Sequence, residues 1–154
     1  MPNSMENVKL FVATKAFISH KGKVLVVRES LQYVDGVHGG KYDVVGGRLT
    51  PGEHFDENIR RETKEETGLE VTIGEPFFVN ESWPVVRGEQ WQIVRIFFKC
   101  TTNSNKVTLS KDHDDFRWID PKKYKDSNLI ENLFPAFGAY LPRKFPGNSN
   151  AARL

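Results

Sequence analysis

The sequence predicts a single α/β domain, and three observations carry that reading. Short segments rich in Val, Ile and Phe recur along the chain with turn residues between them, as strands require. A charged stretch over Phe55–Thr67 ends at Gly68, the residue type that closes helices in the left-handed conformation. Near the C-terminus Leu129, Ile130, Leu133, Phe134, Phe137 and Tyr140 recur at helical spacing. A chain of 154 residues, 38% apolar and 27% charged, suits one domain spanning residues 1–154.

The elements follow in order. Residues 8–18 are apolar, β-branched and aromatic, a strand; the turn at 20–23 contains Gly22 and leads into 24–28, continuously apolar and so a strand covered on both faces. The two form a hairpin. Residues 29–41 are a long loop with Asp35-Gly36 and Gly39-Gly40, of the kind that touches a ligand or simply wanders. Residues 42–45 are a short strand ending at Gly46-Gly47, and 48–52 a turn with Pro51-Gly52. After the helix, strands are expected at 70–79 and 90–100, separated by a loop with Trp83-Pro84 and Gly88, and at 116–119 after the acidic residues 112–115. Residues 122–141 read as helical, interrupted or restarted at Pro135. Residues 1–7 and 146–154 are polar and expected to be disordered.

Composition narrows the function. One cysteine, Cys100, excludes a disulfide scaffold or a cysteine-rich zinc site and favours a reducing compartment, so the cytoplasm is expected. No apolar run approaches the ~18 residues of a membrane span. Twenty-two Lys+Arg against 20 Asp+Glu, a net charge of +2, argues against a nucleic-acid partner, and an anionic substrate must be met locally.

The chemistry is concentrated in the helix. Glu62, Glu65 and Glu66 stand at i, i+3 and i+4, so their carboxylates share a face and repel, and two of them lie in the last turn, where the helix dipole prefers cations. A solvated charged face is the ordinary reading of such a helix. A cluster that works against local stability is also what a functional site looks like, and a divalent cation relieves it most directly. All-oxygen ligation selects Mg2+ or Mn2+ over zinc. Glu53, after Pro51-Gly52, can fold back as a fourth carboxylate. Gly46 and Gly47 allow close backbone approach and can offer a carbonyl oxygen. Arg61, able to pair with Glu57 or Glu65, would orient the cluster.

Residues 47–69 resemble the Nudix box, G-x5-E-x7-R-E-U-x-E-E-x-G-U with U a bulky apolar residue, through Gly47, Glu53, Arg61, Glu62, Glu65, Glu66, Gly68 and Leu69. Three positions depart from the usual pattern: Thr63 at the first apolar site, Asn58 where a small apolar residue is common, and Val45 in place of a proline. The resemblance implies a Nudix-type α/β/α sandwich with a mixed β-sheet. It also implies Mg2+-dependent (or Mn2+-dependent) hydrolysis of a nucleoside diphosphate linked to another moiety. By position, Glu53, Glu62, Glu65 and Glu66, with Gly46 and Gly47, are the expected metal site. Glu62 is the first candidate for general base, with Glu65 and Arg61 beside it. Some relatives take the base from a loop, and here Glu81, Glu89, Asp112 and Asp115 are the loop candidates.

Arg48 could reach a phosphate. Trp83, Trp91 and Tyr42 could stack on a base, although aromatics at strand positions are more often core. His20, His38 and His54 read as surface or capping residues. The substrate expected is a small-molecule nucleotide, most simply a nucleoside triphosphate or modified nucleotide. The alternative is ADP-ribose or a nucleotide sugar, for which Pro84, 15 residues past Leu69, is the one hint. A fold that binds nucleotide without catalysis would usually lack a box glutamate, and all are present. Monomer and homodimer are both compatible with the sequence.

Overall fold

The structure, a computed structural model, describes residues 7–31 and 39–143. The expectations for residues 1–6, for 32–38 with His38, and for 146–154 lie outside the described residues. The strands are β1 (Lys9–His20), β2 (Lys23–Glu29), β3 (Tyr42–Asp43), β4 (Val45–Arg48), β5 (Thr72–Ser82), β6 (Val85–Val86), β7 (Glu89–Thr101) and β8 (His113–Ile119). Helix α1 (Phe55–Thr67) lies between β4 and β5, and α2 (Phe134–Tyr140) follows two 3-10 turns, Pro121–Asp126 and Glu131–Leu133.

The main sheet runs β3-β2-β1-β7-β5, with β4 paired to β1, β8 to β2 and β6 to β7. The β1–β7 pair is parallel and the others are antiparallel, so the sheet is mixed, as expected. Alternation along the strands divides the core. Phe17, Val24, Val26 and Phe97 face α2 with Leu133 and Phe137. Ala16, Ile18, Leu25, Val27, Phe98 and Cys100 point the other way, onto Ile59 of α1. The unbroken apolar run in β2 is thus buried on both faces, and the fold is an α/β/α sandwich.

The structure differs from the sequence reading in four respects. Strands β1, β5 and β7 run further than expected, because the edge residues of each find ladder partners on a neighbouring strand. Gly46-Gly47 does not end a strand. It lies inside β4, with Gly47 opposite Thr14 and Gly46 opposite Lys15. Residues 113–115 of the acidic segment, His113-Asp114-Asp115, belong to β8, where Asp115 pairs with Arg28 of β2. The C-terminal helical pattern breaks into two 3-10 turns and the seven-residue α2. The Asp120 carboxylate caps the first turn, Asn128 takes a left-handed φ of 54° between the two, and Pro135 sits in the first turn of α2, where its missing N–H costs nothing. Helix α1 keeps its expected bounds, with Gly68 at φ 74° donating its N–H to the Lys64 carbonyl.

Candidate active site

The carboxylates of α1 face β4 because the two elements are tied at a buried polar joint. Asn58, fully buried, accepts from the Thr14 hydroxyl of β1 at 2.5 Å, and its amide donates to the Arg48 carbonyl at 3.0 Å and to Glu53 at 3.2 Å. One side chain therefore fixes the start of α1, the end of β4 and the Glu53 carboxylate. Glycine is required at Gly46, and Gly47 leaves room for the Glu62 carboxylate where it stands. A Cβ on Gly46 would fall on the Thr14 carbonyl oxygen, and one on Gly47 would lie under 3.0 Å from the Glu62 carboxylate.

Arg61 occupies the middle of the cluster. Its Nε donates to Glu53 at 2.8 Å and Nη2 to the other Glu53 oxygen at 3.2 Å, while Nη1 reaches Glu62 at 3.1 Å and Glu65 at 3.3 Å. The orienting role foreseen for Arg61 thus falls on Glu53, Glu62 and Glu65. Glu57, the other partner foreseen, is not among the residues it bonds. The fork on Glu53, together with the Thr50 N–H, draws the Glu53 carboxyl down to about 2.

Glu66 is the opposite case. It accepts one bond, from the Gly46 N–H at 3.1 Å, and among the described residues no cation stands within ion-pair distance. The residue keeps some surface, but protein crowds its carboxyl. Burial first, then the negative charges of Glu62 and Asp43, push it up to about 8 against the pull of Lys15. Burial likewise raises Glu62, in opposition to Arg61.

As they stand, no three acidic or imidazole side chains among the described residues already enclose an ion, since the Arg61 guanidinium takes up the space between Glu53, Glu62 and Glu65. The donor set nonetheless fits a hard divalent cation. It is all oxygen, it includes a buried carboxyl with no ion-pair partner among the described residues, and Gly47 sets no side chain against the Glu62 carboxylate.

Gly47 and Arg48 link this cluster to a cavity of about 700 Å³ on the α2 face of the sheet. Trp83, Pro84, Trp91 and Ile93 form apolar walls, and Lys15, Arg48 and Arg95 bring positive charge. A second depression of about 630 Å³ runs from Leu10 along Arg48 to Glu53, Arg61 and Glu62. Arg48 borders both, its guanidinium 4.6 Å from the Phe11 ring centre and 4.8 Å from that of Trp91. Trp83 and Trp91 therefore line the cavity, whereas Tyr42 is core, its hydroxyl donated to Asp115.

The carboxylates expected in loops engage elsewhere. Asp115 on β8 holds Tyr42, Glu81 on β5 accepts from Gln92 and Glu89 on β7 pairs with Lys9, so these three lie on strands and not in loops, while Asp112 accepts from the Ser30 N–H through its backbone carbonyl. His54 stands at the N-cap of α1 without a side-chain capping bond, and His20 bonds the Thr102 carbonyl. Sequence reasoning missed Asn58 as the joint, the Lys15–Asp43 ion pair at 3.1 Å in the cavity wall, and Arg95. The available signal was a polar or charged residue inside an otherwise buried run: Lys15 within β1, Arg95 within β7 and Asn58 beside Ile59.

The family model of the NUDIX domain matches residues 9–137, which include the whole cluster and the cavity. The chain belongs to the NUDIX family. It is a hydrolase of the class that acts on phosphoric anhydride bonds of nucleotides. It is similar to the nucleoside triphosphatase NudI of Escherichia coli strain K12, 27% identical over 94 residues, which cover 56% of this chain and 67% of that protein. The NudI of Enterobacter sp. (strain 638) is 29% identical over 103 residues, 62% of this chain and 73% of that one. Among solved structures, the MutT protein from Methanosarcina mazei Go1 superimposes with a TM-score of 0.73 at 25% identity, covering 88% of this chain and 96% of that one. The MutT NUDIX hydrolase from Burkholderia pseudomallei shares the fold, with a TM-score of 0.70 at 19% identity over 86% and 99% of the two chains. NUDIX hydrolases generally use divalent metal ions and act on small nucleotides. No helix among the described residues is long and apolar enough to cross a membrane.

Proposed function

We propose that this protein is a Mg2+- or Mn2+-dependent pyrophosphohydrolase of nucleoside triphosphates or modified nucleotides, working in the cytoplasm on a free small-molecule substrate. The observation that carries the reading is the continuity of a carboxylate cluster with an aromatic, cationic cavity through Gly47 and Arg48. The carboxylates suit a diphosphate with its metal, and the cavity is of a size to take a nucleoside. The relatives named nucleoside triphosphatase favour a triphosphate over ADP-ribose.

Glu62, Glu65 and Glu66 would hold the metal, with Glu53 and the Gly46-Gly47 backbone at its margin. When bound, the metal supplies neutralisation of diphosphate charge and acidification of a water. The chain's own residues do the rest. Glu62, whose buried carboxyl has a raised proton affinity, is suited to take the proton of the attacking water. Arg61 holds Glu53, Glu62 and Glu65 in register with a charge that titration does not remove. Arg48, and Lys15 behind it, face the path from carboxylates to cavity and suit phosphate oxygens. Trp83 suits a stacked base.

The test is a panel of nucleoside triphosphates, ADP-ribose and nucleotide sugars with Mg2+, reading released phosphate and pyrophosphate. Triphosphates are expected to have the highest kcat/KM. Cleavage of ADP-ribose alone would reassign the substrate, and cleavage of nothing would leave a binding module.

A further inference from the structure

Helix α1 covers only part of its face of the sheet. Beneath it on β1 and β7 lie Ala16, Ile18, Phe98 and Cys100, buried with Ile59. Alternation carries the same face onward through Val12 and Leu10 on β1 and through Ile96, Val94 and Gln92 on β7. On β5, Val79 stands opposite Ile96 and Glu81 opposite Val94, and on β6 Val85 stands opposite Gln90. This part of the face is bare among the described residues: Leu10 is 62% exposed, Val79 59% and Val85 66%. At its border Phe55, the first residue of α1, stacks on Phe98 at 5.2 Å and keeps 52% of its surface open. Six large apolar side chains are exposed among the described residues, and these four with Val12 are five of them; Leu31, beside Gly39, is the sixth.

A sheet face that meets water alternates to polar residues. Here the charge at the strand positions named is confined to Glu81, which accepts from Gln92 at 3.2 Å. By their fractional exposure the five apolar residues leave bare on the order of 500 Å², the upper end for a lone soluble domain. That is more than half of the ~800 Å² each partner gives to a stable interface, and Gln92, Val94, Ile96 and Glu81 extend it.

The chemistry of the patch selects a second copy of the chain as its occupant. An aliphatic face with almost no charge is complementary to itself, and a two-fold axis through it sets no like charges together at its centre. A net charge of +2 leaves little long-range repulsion between copies. A foreign partner is ordinarily picked out by a pattern of charge, and this face offers none. Residues 1–6, which precede β1, have only Met1 and Met5 as long apolar side chains, too few to cover it.

We propose that this protein forms a two-fold homodimer, sheet against sheet, through the face that carries Leu10, Val12, Phe55, Val79 and Val85. Leu10 and Val12 also border the depression that reaches Glu53, Arg61 and Glu62, so the second copy stands beside the carboxylate cluster. None of the five lines the nucleotide cavity, and the inference is independent of the substrate reading.

Sedimentation velocity of the full chain without nucleotide or metal, from about 1 to 100 μM, tests it on the parent, Val79→Glu, Leu10→Glu and Leu31→Glu. The parent is expected to reach twice the mass of one chain. Val79→Glu and Leu10→Glu should keep the parent's circular dichroism and sediment as single chains, since a buried charge is set against its own copy, while Leu31→Glu should still pair. If Val79→Glu fails to fold, Leu10→Glu decides. A parent that stays a single chain at the highest concentration overturns the proposal, and is the result expected if a foreign protein or the chain's own terminal residues cover the face. A dimer that persists in folded Val79→Glu or Leu10→Glu, or one lost equally in Leu31→Glu, overturns it as well.

Discussion

An acid, Glu66, and a base, Arg95, stand on either side of the junction at Gly47 and Arg48, and they are partnered differently from their neighbours. On the α1 side, Glu53 is held by a guanidinium fork, a backbone N–H and the Asn58 amide, and Glu62 and Glu65 share Arg61, yet among the described residues the Glu66 carboxyl has only the Gly46 N–H. On the cavity side, Lys15 has Asp43, whereas among the described residues Arg95 bonds the Ser82 hydroxyl and has no ion pair. Each region thus has a satisfied ion pair that fixes geometry and one ionisable group with no ion-pair partner among the described residues. The pairs fix the geometry of the two regions. The unpaired Glu66 marks the side on which a cation is proposed to bind. Local disagreement with stability is expected where a site is kept ready for a partner.

The comparison breaks first at Glu66. If its charge serves a cation, Glu66→Gln should lower kcat by about a hundredfold or more with triphosphate and Mg2+, while the metal-free variant melts at or above the parent temperature. An active Glu66→Gln would mean that the carboxylate is merely tolerated. The next effect falls on stability. Asn58→Ala removes the joint between Thr14, Arg48 and Glu53 and strands the buried Thr14 hydroxyl, at a cost of about 2 kcal/mol or more. Urea unfolding measures it, and a loss under about 0.5 kcal/mol would show that packing alone sets the approach of α1 to β4.

The smallest effect is in pH. Glu66 in the folded, metal-free protein holds its proton up to about 8, against an ordinary 4.5. Below 4.5 the proton is bound in both folded and unfolded chains and Glu66 costs nothing. Between 4.5 and 8 the unfolded chain releases it first, so stability falls as pH rises, and the full cost is present above 8. The melting difference between metal-free Glu66→Gln and parent should therefore widen from pH 5 to pH 8. Glu53 works in the other direction: its contribution is present above about 4.5 and is lost as pH falls toward 2. A flat difference across that window would remove the argument that burial dominates at Glu66.

How much of this was legible in the sequence depends on what kind of signal each residue leaves. The carboxylates were legible because repulsion at i, i+3 and i+4 is visible in one dimension, and because the spacing of glycines, Arg61 and glutamates is specific. Helix α1 was legible because Gly68 marks its end. The cavity was not, because Lys15, Asp43, Ser82 and Arg95 lie on four different strands, and the parallel β1–β7 pairing that brings Lys15 and Arg95 together has no local trace. Asn58 was seen only as a departure from an apolar norm, since nothing nearby in the sequence reveals that its partners are Thr14 and Arg48. The C-terminal helical pattern misled for a related reason. Its apolar spacing was real, and those residues do fill the core beside Phe17 and Phe97, but Asp120, Asn128 and Pro135 cut the backbone into turns.

The central claim is that the carboxylates of α1 form one cation site completed by Glu66. Melting of the parent and of Glu66→Gln at pH 7.5, each with and without millimolar MgCl2 and no nucleotide, tests it most directly. The account predicts a higher melting temperature with Mg2+ for the parent, by mass action on the folded state, and little or no gain for the variant. An equal gain in both proteins, or none in the parent, would contradict it.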